Sequence, residues 1–161
     1  GGCYVATGIE HDERGDPNYE PETHAMMTEK RWRKLQTASG KLKGNHLNAT
    51  RHGVNDAEIG VLGWGASEGA IFEAVDLANR RGLKVAAMQV KMLSPLPENE
   101  IREFIKPLKA VVVPELNYTG HFADLVKKTF LLQPVQLSKV EGVPFTPSEV
   151  FSKILEVAES E

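Results

Sequence analysis

The sequence predicts an α/β fold, a mainly parallel sheet with helices on both faces. Three observations carry that expectation. From residue 57 onward, short apolar runs alternate four times with segments whose apolar residues recur at spacings of three and four. Glycine and proline fall at the junctions between these segments. At 161 residues the chain is long enough for one ordinary domain and too short for two.

The elements follow in order. Ala57–Leu62 is an apolar strand. Ser67 opens a helix that runs to about Arg81, with Ile71, Val75 and Ala78 on one face and Glu73, Asp76 and Arg80 opposite. Gly82 stops it, because glycine reaches the left-handed conformation that ends helices. Lys84–Val90 is the second strand. Pro97 starts a helix whose stripe is Ile101, Phe104, Ile105 and Leu108, and Ala110–Val113 is a short third strand. A helix spans about Gly120 to Leu131, with Phe122, Leu125 and Val126 inward, and Pro134–Ser138 is the fourth strand. Thr146-Pro147-Ser148-Glu149 is a capping box with proline at the first helical position. It opens a last helix that buries Val150, Ile154, Val157 and Ala158.

Residues 1–56 differ in character. Cys3 to Ile9 reads as a short strand, with Cys3 as a small apolar residue of it. Glu10 to Glu22 holds two prolines, a glycine and six carboxylates, so it is a loop. His11, Asp12, Glu13 and Asp16 are metal-ligand types, yet their spacing fits neither a zinc site nor an EF-hand. The better expectation is a solvated loop, or one that docks on the basic helix nearby. Thr23 can cap that helix, from about His24 to Ser39. Trp32, Leu35, Ala38 and Leu42 lie along one side and Lys30, Arg31, Arg33 and Lys34 along the other. The Trp32 face is expected to be partly exposed in this chain. Gly40 to Gly53 reads as a connector.

Bulk composition narrows the function classes. A net charge of −3 gives no electrostatic case for nucleic acid or an anionic membrane. No apolar run approaches the roughly 20 residues that cross a bilayer. The one cysteine can form no internal disulfide and cannot supply the four thiolates of an iron–sulfur cluster, which fits a reducing cytoplasm. Gly-x-Ser-x-Gly is absent and the five histidines are scattered, so no nucleophile–base pair is legible.

In sheets of this kind, ligands and partners meet the loops that leave the carboxyl ends of the strands. Gly63-Trp64-Gly65-Ala66-Ser67 is either a tight strand-to-helix turn or an anion site at a helix start. It lacks the third glycine of a dinucleotide fingerprint and the lysine of a P-loop. Lys91 to Pro97, with two prolines, reads as a rigid turn. Glu115, Asn117, Tyr118, Thr119, Gly120 and His121 form the densest polar cluster, serving a structural network, a subunit contact or a ligand.

Six segments, taken together and in order, carry a family resemblance. They are Thr7 to Gly15, Met27 to Arg31, Gly63 to Gly65, Leu93 to Pro97, Val113 to Gly120 and Glu141 to Phe145. They resemble the α subunit of 2-oxoacid:ferredoxin oxidoreductases, most closely the 2-oxoglutarate type, over about residues 5 to 155. The resemblance implies that residues 57–161 are a transketolase C-terminal-like domain, three-layer α/β/α with a mostly parallel sheet of about five strands. Its antiparallel edge strand would come from Asn48–Arg51 or from the N-terminal stretch, and residues 1–56 would be a linking arm.

The resemblance further implies a fragment, inactive alone. The full complex would hold thiamine diphosphate, magnesium and an iron–sulfur cluster on other parts, and would use a β subunit, ferredoxin, coenzyme A and a 2-oxoacid. No cofactor, metal or catalytic residue is assigned to this chain. Its expected part is to join subunits and to line a coenzyme A or effector path through residues 63–67 and 115–121. The rival reading is a stand-alone small-molecule-binding domain of the same fold.

Overall fold

A computed structural model of the chain describes residues 2–3, 8–42 and 47–160. It divides into two compact units, Gly1–Leu42 and Lys43–Glu161.

The first unit is built on helix α1, Pro21–Leu42. The helix starts three residues before the expected His24, because Pro21 takes the first helical position and the Glu20 carbonyl accepts the His24 amide. It also runs through Gly40, a residue expected in a connector, at a cost of about 1 kcal/mol relative to alanine. The acidic loop docks on this helix. Both Glu10 oxygens accept the Arg31 guanidinium, at 2.8 and 2.6 Å. That fork holds the Glu10 carboxyl below its ordinary range. Asp12 turns the loop by accepting the Arg14 and Asp16 amides, at 2.8 and 3.0 Å. Trp32 is 65% exposed, in keeping with the expectation for its face. Cys3 corrects another expectation, since it is exposed and in no strand, and Gly8 and Ile9 lie in a bend. Residues 4–7 of the anticipated strand lie outside the described residues.

The second unit holds a five-stranded sheet. Its strands are β1 (Ala49–Gly53), β2 (Ile59–Trp64), β3 (Val85–Val90), β4 (Ala110–Glu115) and β5 (Val135–Ser138). Spatial order is β1-β3-β2-β4-β5, with β1 antiparallel to β3 and the other pairings parallel. Part of the expected connector is therefore the antiparallel edge strand. Val85, Ala86, Ala87, Met88 and Val90 are buried, as are Val111, Val112 and Val113, because helices cover both faces of the central strands.

The helices are α2 (Glu68–Arg80), α3 (Glu98–Ile105), α4 (His121–Phe130) and α5 (Pro147–Ser160). On one face Val61, Val85 and Ala87 pack against Ile71 and Val75 of α2 and Val150 and Ile154 of α5. On the other, Leu62, Met88 and Val113 pack against Ile101 and Phe104 of α3 and Phe122 and Val126 of α4. Each aliphatic side chain fully buried in this way contributes about 1.5–3 kcal/mol. At the β1 edge, His52 lies 2.7 Å from Asp76 of α2 and stacks on Phe72 at 4.6 Å, tying the edge strand to the helix.

Two glycines show how close the packing is. A Cβ on Gly53, whose φ is +100°, would come within 2.6 Å of the Val85 carbonyl oxygen. Gly69, in the first turn of α2, has open space. Gly53→Ala should destabilise by more than about 2 kcal/mol in urea denaturation, whereas Gly69→Ala should be neutral or stabilising by up to about 1 kcal/mol.

The capping box forms as its sequence predicts. Glu149 accepts the Thr146 amide at 2.6 Å, and the Thr146 hydroxyl accepts the Glu149 amide at 3.3 Å. Lys139 Nζ also lies 2.8 Å from Glu149 and donates to the Pro144 carbonyl, closing the loop between β5 and α5. The Lys139 ammonium first, and then the Thr146 donors, hold the Glu149 carboxyl down at about 2. A depressed folded-state value contributes stability that is full above the ordinary carboxylate range and is lost as pH falls through the folded value. Carboxyl NMR should therefore titrate Glu149 near pH 2, and Lys139→Met should move that titration upward.

Candidate functional site at the switch point of the sheet

The chain leaves β2 toward β3 on one side, and later places β4 on the other. Between the carboxyl ends of β2 and β4 the connections run in opposite directions, which opens a crevice in sheets of this kind. The pocket found there has a volume of about 240 Å³. One wall is Trp64, Gly65, Ala66 and Ser67, and the other is Pro114, Glu115, Leu116, Asn117 and His121.

The first wall is not the simple turn expected. Gly63 and Trp64 continue β2, paired with Gln89 and Val90 of β3, and the turn begins only at Gly65 as a 3-10 segment through Ser67. Tertiary pairing has overridden the local preference of glycine. Gly63 is required here for space, because a Cβ would stand 2.2 Å from Ile71 and 2.7 Å from Gln89 Oε1. Gln89 is buried, and its Nε2 donates to the Gly65 carbonyl at 2.9 Å, fixing the turn from below. The Ser67 hydroxyl donates back to the Trp64 carbonyl at 2.9 Å, so it does not cap α2.

The second wall is organised by Glu115, only 2% exposed. Its Oε1 accepts Asn117 Nδ2 at 2.8 Å, the Phe122 amide at 2.8 Å and Trp64 Nε1 at 3.3 Å. Its Oε2 accepts the Phe122 and Ala123 amides at 3.0 and 2.9 Å. The carboxylate thus sits at the amino end of α4, where otherwise free amides and the helix dipole stabilise negative charge. Asn117 Oδ1 in turn accepts the Gly120 amide at 2.6 Å. Gly120 is left-handed, with φ +71°, and a Cβ there would meet Gln136 at 2.2 Å.

The structure therefore brings Trp64, Gly65, Ser67, Glu115, Asn117 and His121 to one pocket. Gly63 and Gly120, both buried, are not part of its lining, and neither are Thr119 and Tyr118, the latter 85% exposed. Sequence reading missed Gln89 and Gln136. Gln89 had a faint signal, as the single polar residue within Val85–Val90. Among the described residues no group of three His, Cys, Asp or Glu side chains could hold a metal ion. In the acidic loop, Asp12 serves backbone amides and His11 Nδ1 meets the Asp12 carbonyl at 2.8 Å.

Fold and crevice together define an α/β domain with a mostly parallel five-stranded sheet and a cleft at its switch point, a fold shared with a transketolase. The likeness of fold is direct. A split-gene transketolase, an inactive β4 tetramer, superposes with a TM-score of 0.53 at 15% identity, over 67% of this chain and 40% of that one. Residues 57–150 match the pyruvate:ferredoxin oxidoreductase core domain II family, and the chain belongs to that family.

The 2-oxoglutarate oxidoreductase subunit KorA of Mycobacterium tuberculosis is 35% identical over 93% of this chain and 21% of its own length. A solved 2-oxoglutarate:ferredoxin oxidoreductase from Magnetococcus marinus, with 2-oxoglutarate, coenzyme A and succinyl-CoA bound, superposes with a TM-score of 0.83. That likeness holds at 34% identity, over 96% of this chain and 26% of that one. The chain spans about a fifth to two fifths of the curated relatives it matches.

Replacing Glu115 should expose how much rests on it. Glu115→Ala leaves the buried Phe122 and Ala123 amides without their acceptor and should cost about 2–4 kcal/mol in urea denaturation. Asn117→Ala, which removes the acceptor of the Gly120 amide and one of several donors to Glu115, should cost less, about 1–2 kcal/mol.

Proposed function

We propose that this chain is the C-terminal domain of the α subunit of a 2-oxoacid:ferredoxin oxidoreductase of the 2-oxoglutarate type. The observation that carries this reading is the extent of the likeness to KorA, 93% of the chain at 35% identity, joined to a TM-score of 0.83 against a solved enzyme of that specificity. The complete enzyme would combine a 2-oxoacid, coenzyme A and oxidised ferredoxin to give acyl-CoA, carbon dioxide and reduced ferredoxin. It would work in the cytoplasm with a β subunit as partner.

The residues of this chain do not fit the redox and carbanion cofactors of such an enzyme. A single cysteine cannot hold an iron–sulfur cluster. Among the described residues no acidic or histidine cluster suits the magnesium of thiamine diphosphate. No catalytic step is therefore assigned to this domain. Its role is to join parts of the assembly and to line, with residues 63–67 and 115–121, a crevice for coenzyme A, an effector or a segment of a partner. Because Ala49–Gly53 is a strand of the sheet, the arm is shorter than residues 1–56, and residues 1–42 serve to link the domain to the rest.

The test is capture of the native protein from its source cells, with intact masses of the captured chains and an assay of ferredoxin reduction by 2-oxoglutarate and coenzyme A. A longer polypeptide bound to a second subunit, active in the assay, is the expected result, while the isolated 161-residue chain turns nothing over. A native chain of this size without a partner would instead make it a stand-alone binding domain.

A further inference from the structure

We infer that the Trp64 indole is a gate on the switch-point pocket, opened by rotation of the side chain alone. The inference rests on the reading that this pocket receives a ligand or a partner segment. Three features of the site lead to it.

The backbone of Trp64 is fixed, while its indole makes a long polar contact. Trp64 pairs with Val90 of β3, and its carbonyl accepts the Ser67 hydroxyl at 2.9 Å. Trp64 as a residue is 37% exposed, and its indole N–H donates to Glu115 over 3.3 Å. That length is beyond the common range for an N–H···O bond. Gly63 before it and Gly65 after it bring no side chains to crowd a rotation about the Cα–Cβ bond.

Opening leaves no buried group unsatisfied. When the indole departs, Glu115 retains the Asn117 amide group and the backbone amides of Phe122 and Ala123, at 2.8 to 3.0 Å. The released indole N–H meets water. The usual heavy cost of breaking a buried polar contact is the partner left without a bond, and here there is none. The polar cost of opening is therefore small, one long hydrogen bond exchanged for water.

The pocket also needs the movement. At about 240 Å³ it falls below the roughly 300–1,000 Å³ of ordinary small-molecule sites. Trp64 is the largest side chain of its lining, so swinging the indole outward enlarges the crevice. Leu116 and Pro114 on the facing wall then offer an apolar surface, with the saturated Glu115 carboxylate below.

The chain supplies its own reference for the test, since it has two tryptophans and Trp32 is 65% exposed. Indole N–H exchange with solvent is measured by NMR on the 161-residue chain, with Trp32→Phe used to assign the two signals. Trp64 Nε1–H should exchange within about tenfold of the Trp32 rate. Protection greater than about tenfold would mean a locked indole and would overturn the gate. Absence of coenzyme A-dependent turnover in the captured native protein would count against the proposed function and leave this exchange rate unchanged, so the two failures are separable.

Discussion

The Glu115 carboxylate reaches three parts of the chain at once. It caps α4 through the Phe122 and Ala123 amides, holds the loop after β4 through Asn117, and meets Trp64 at the end of β2. A buried carboxylate is tolerated only where donors replace its lost hydration, and here five contacts to four donor groups do so. The wall that follows β4 is consequently organised by one group that is itself spent. Its chemistry is structural, and the pocket surface left for a visitor is largely apolar.

The order of strands explains why the crevice lies where it does. With β2 central, its successor β3 is placed on one side and β4 on the other, so α2 and α4 start on opposite faces of the sheet. Both helix starts border the same gap. One is capped from within by Glu115, whereas the start of α2 carries no side-chain cap because Ser67 bonds to Trp64 instead. This asymmetry gives the crevice one wall held by a side-chain cap and one that continues from a 3-10 turn into its helix.

In the other unit, charge does the work that apolar burial does in the sheet domain. Glu10 and Arg31 are 21 residues apart and form a paired fork that brings the acidic loop onto α1. Met27 is the one residue of α1 classed as buried, and Trp32 is exposed, so little apolar surface is hidden there. Exposed ion pairs contribute only about 0–1 kcal/mol each. Among its described residues the first unit therefore buries less apolar surface than the second, where layered helices seal both faces of the sheet.

Local chemistry made much of the fold legible. The alternation of strands and helices, the stop at Gly82 and the Thr146–Glu149 capping box are encoded within a few residues, where periodicity and turn chemistry act directly. The two loops at 63–67 and 115–121 were likewise recognisable as neighbours of strand ends. What the sequence by itself could not determine depends on residues far apart. Gly63 and Trp64 became strand because Gln89 and Val90 lie beside them, and Ala49–Gly53 became an edge because Val90 to Ala86 offered an open row of hydrogen bonds. Trp64 and Glu115 are 51 positions apart, and only the tertiary structure decided that they meet, that Tyr118 and Thr119 stay outside, and that Gln89 supports the turn from below. Sequence pattern specifies which faces must be buried, but strand order and register choose which loops share a crevice. That choice is made by pairing and packing over the whole sheet.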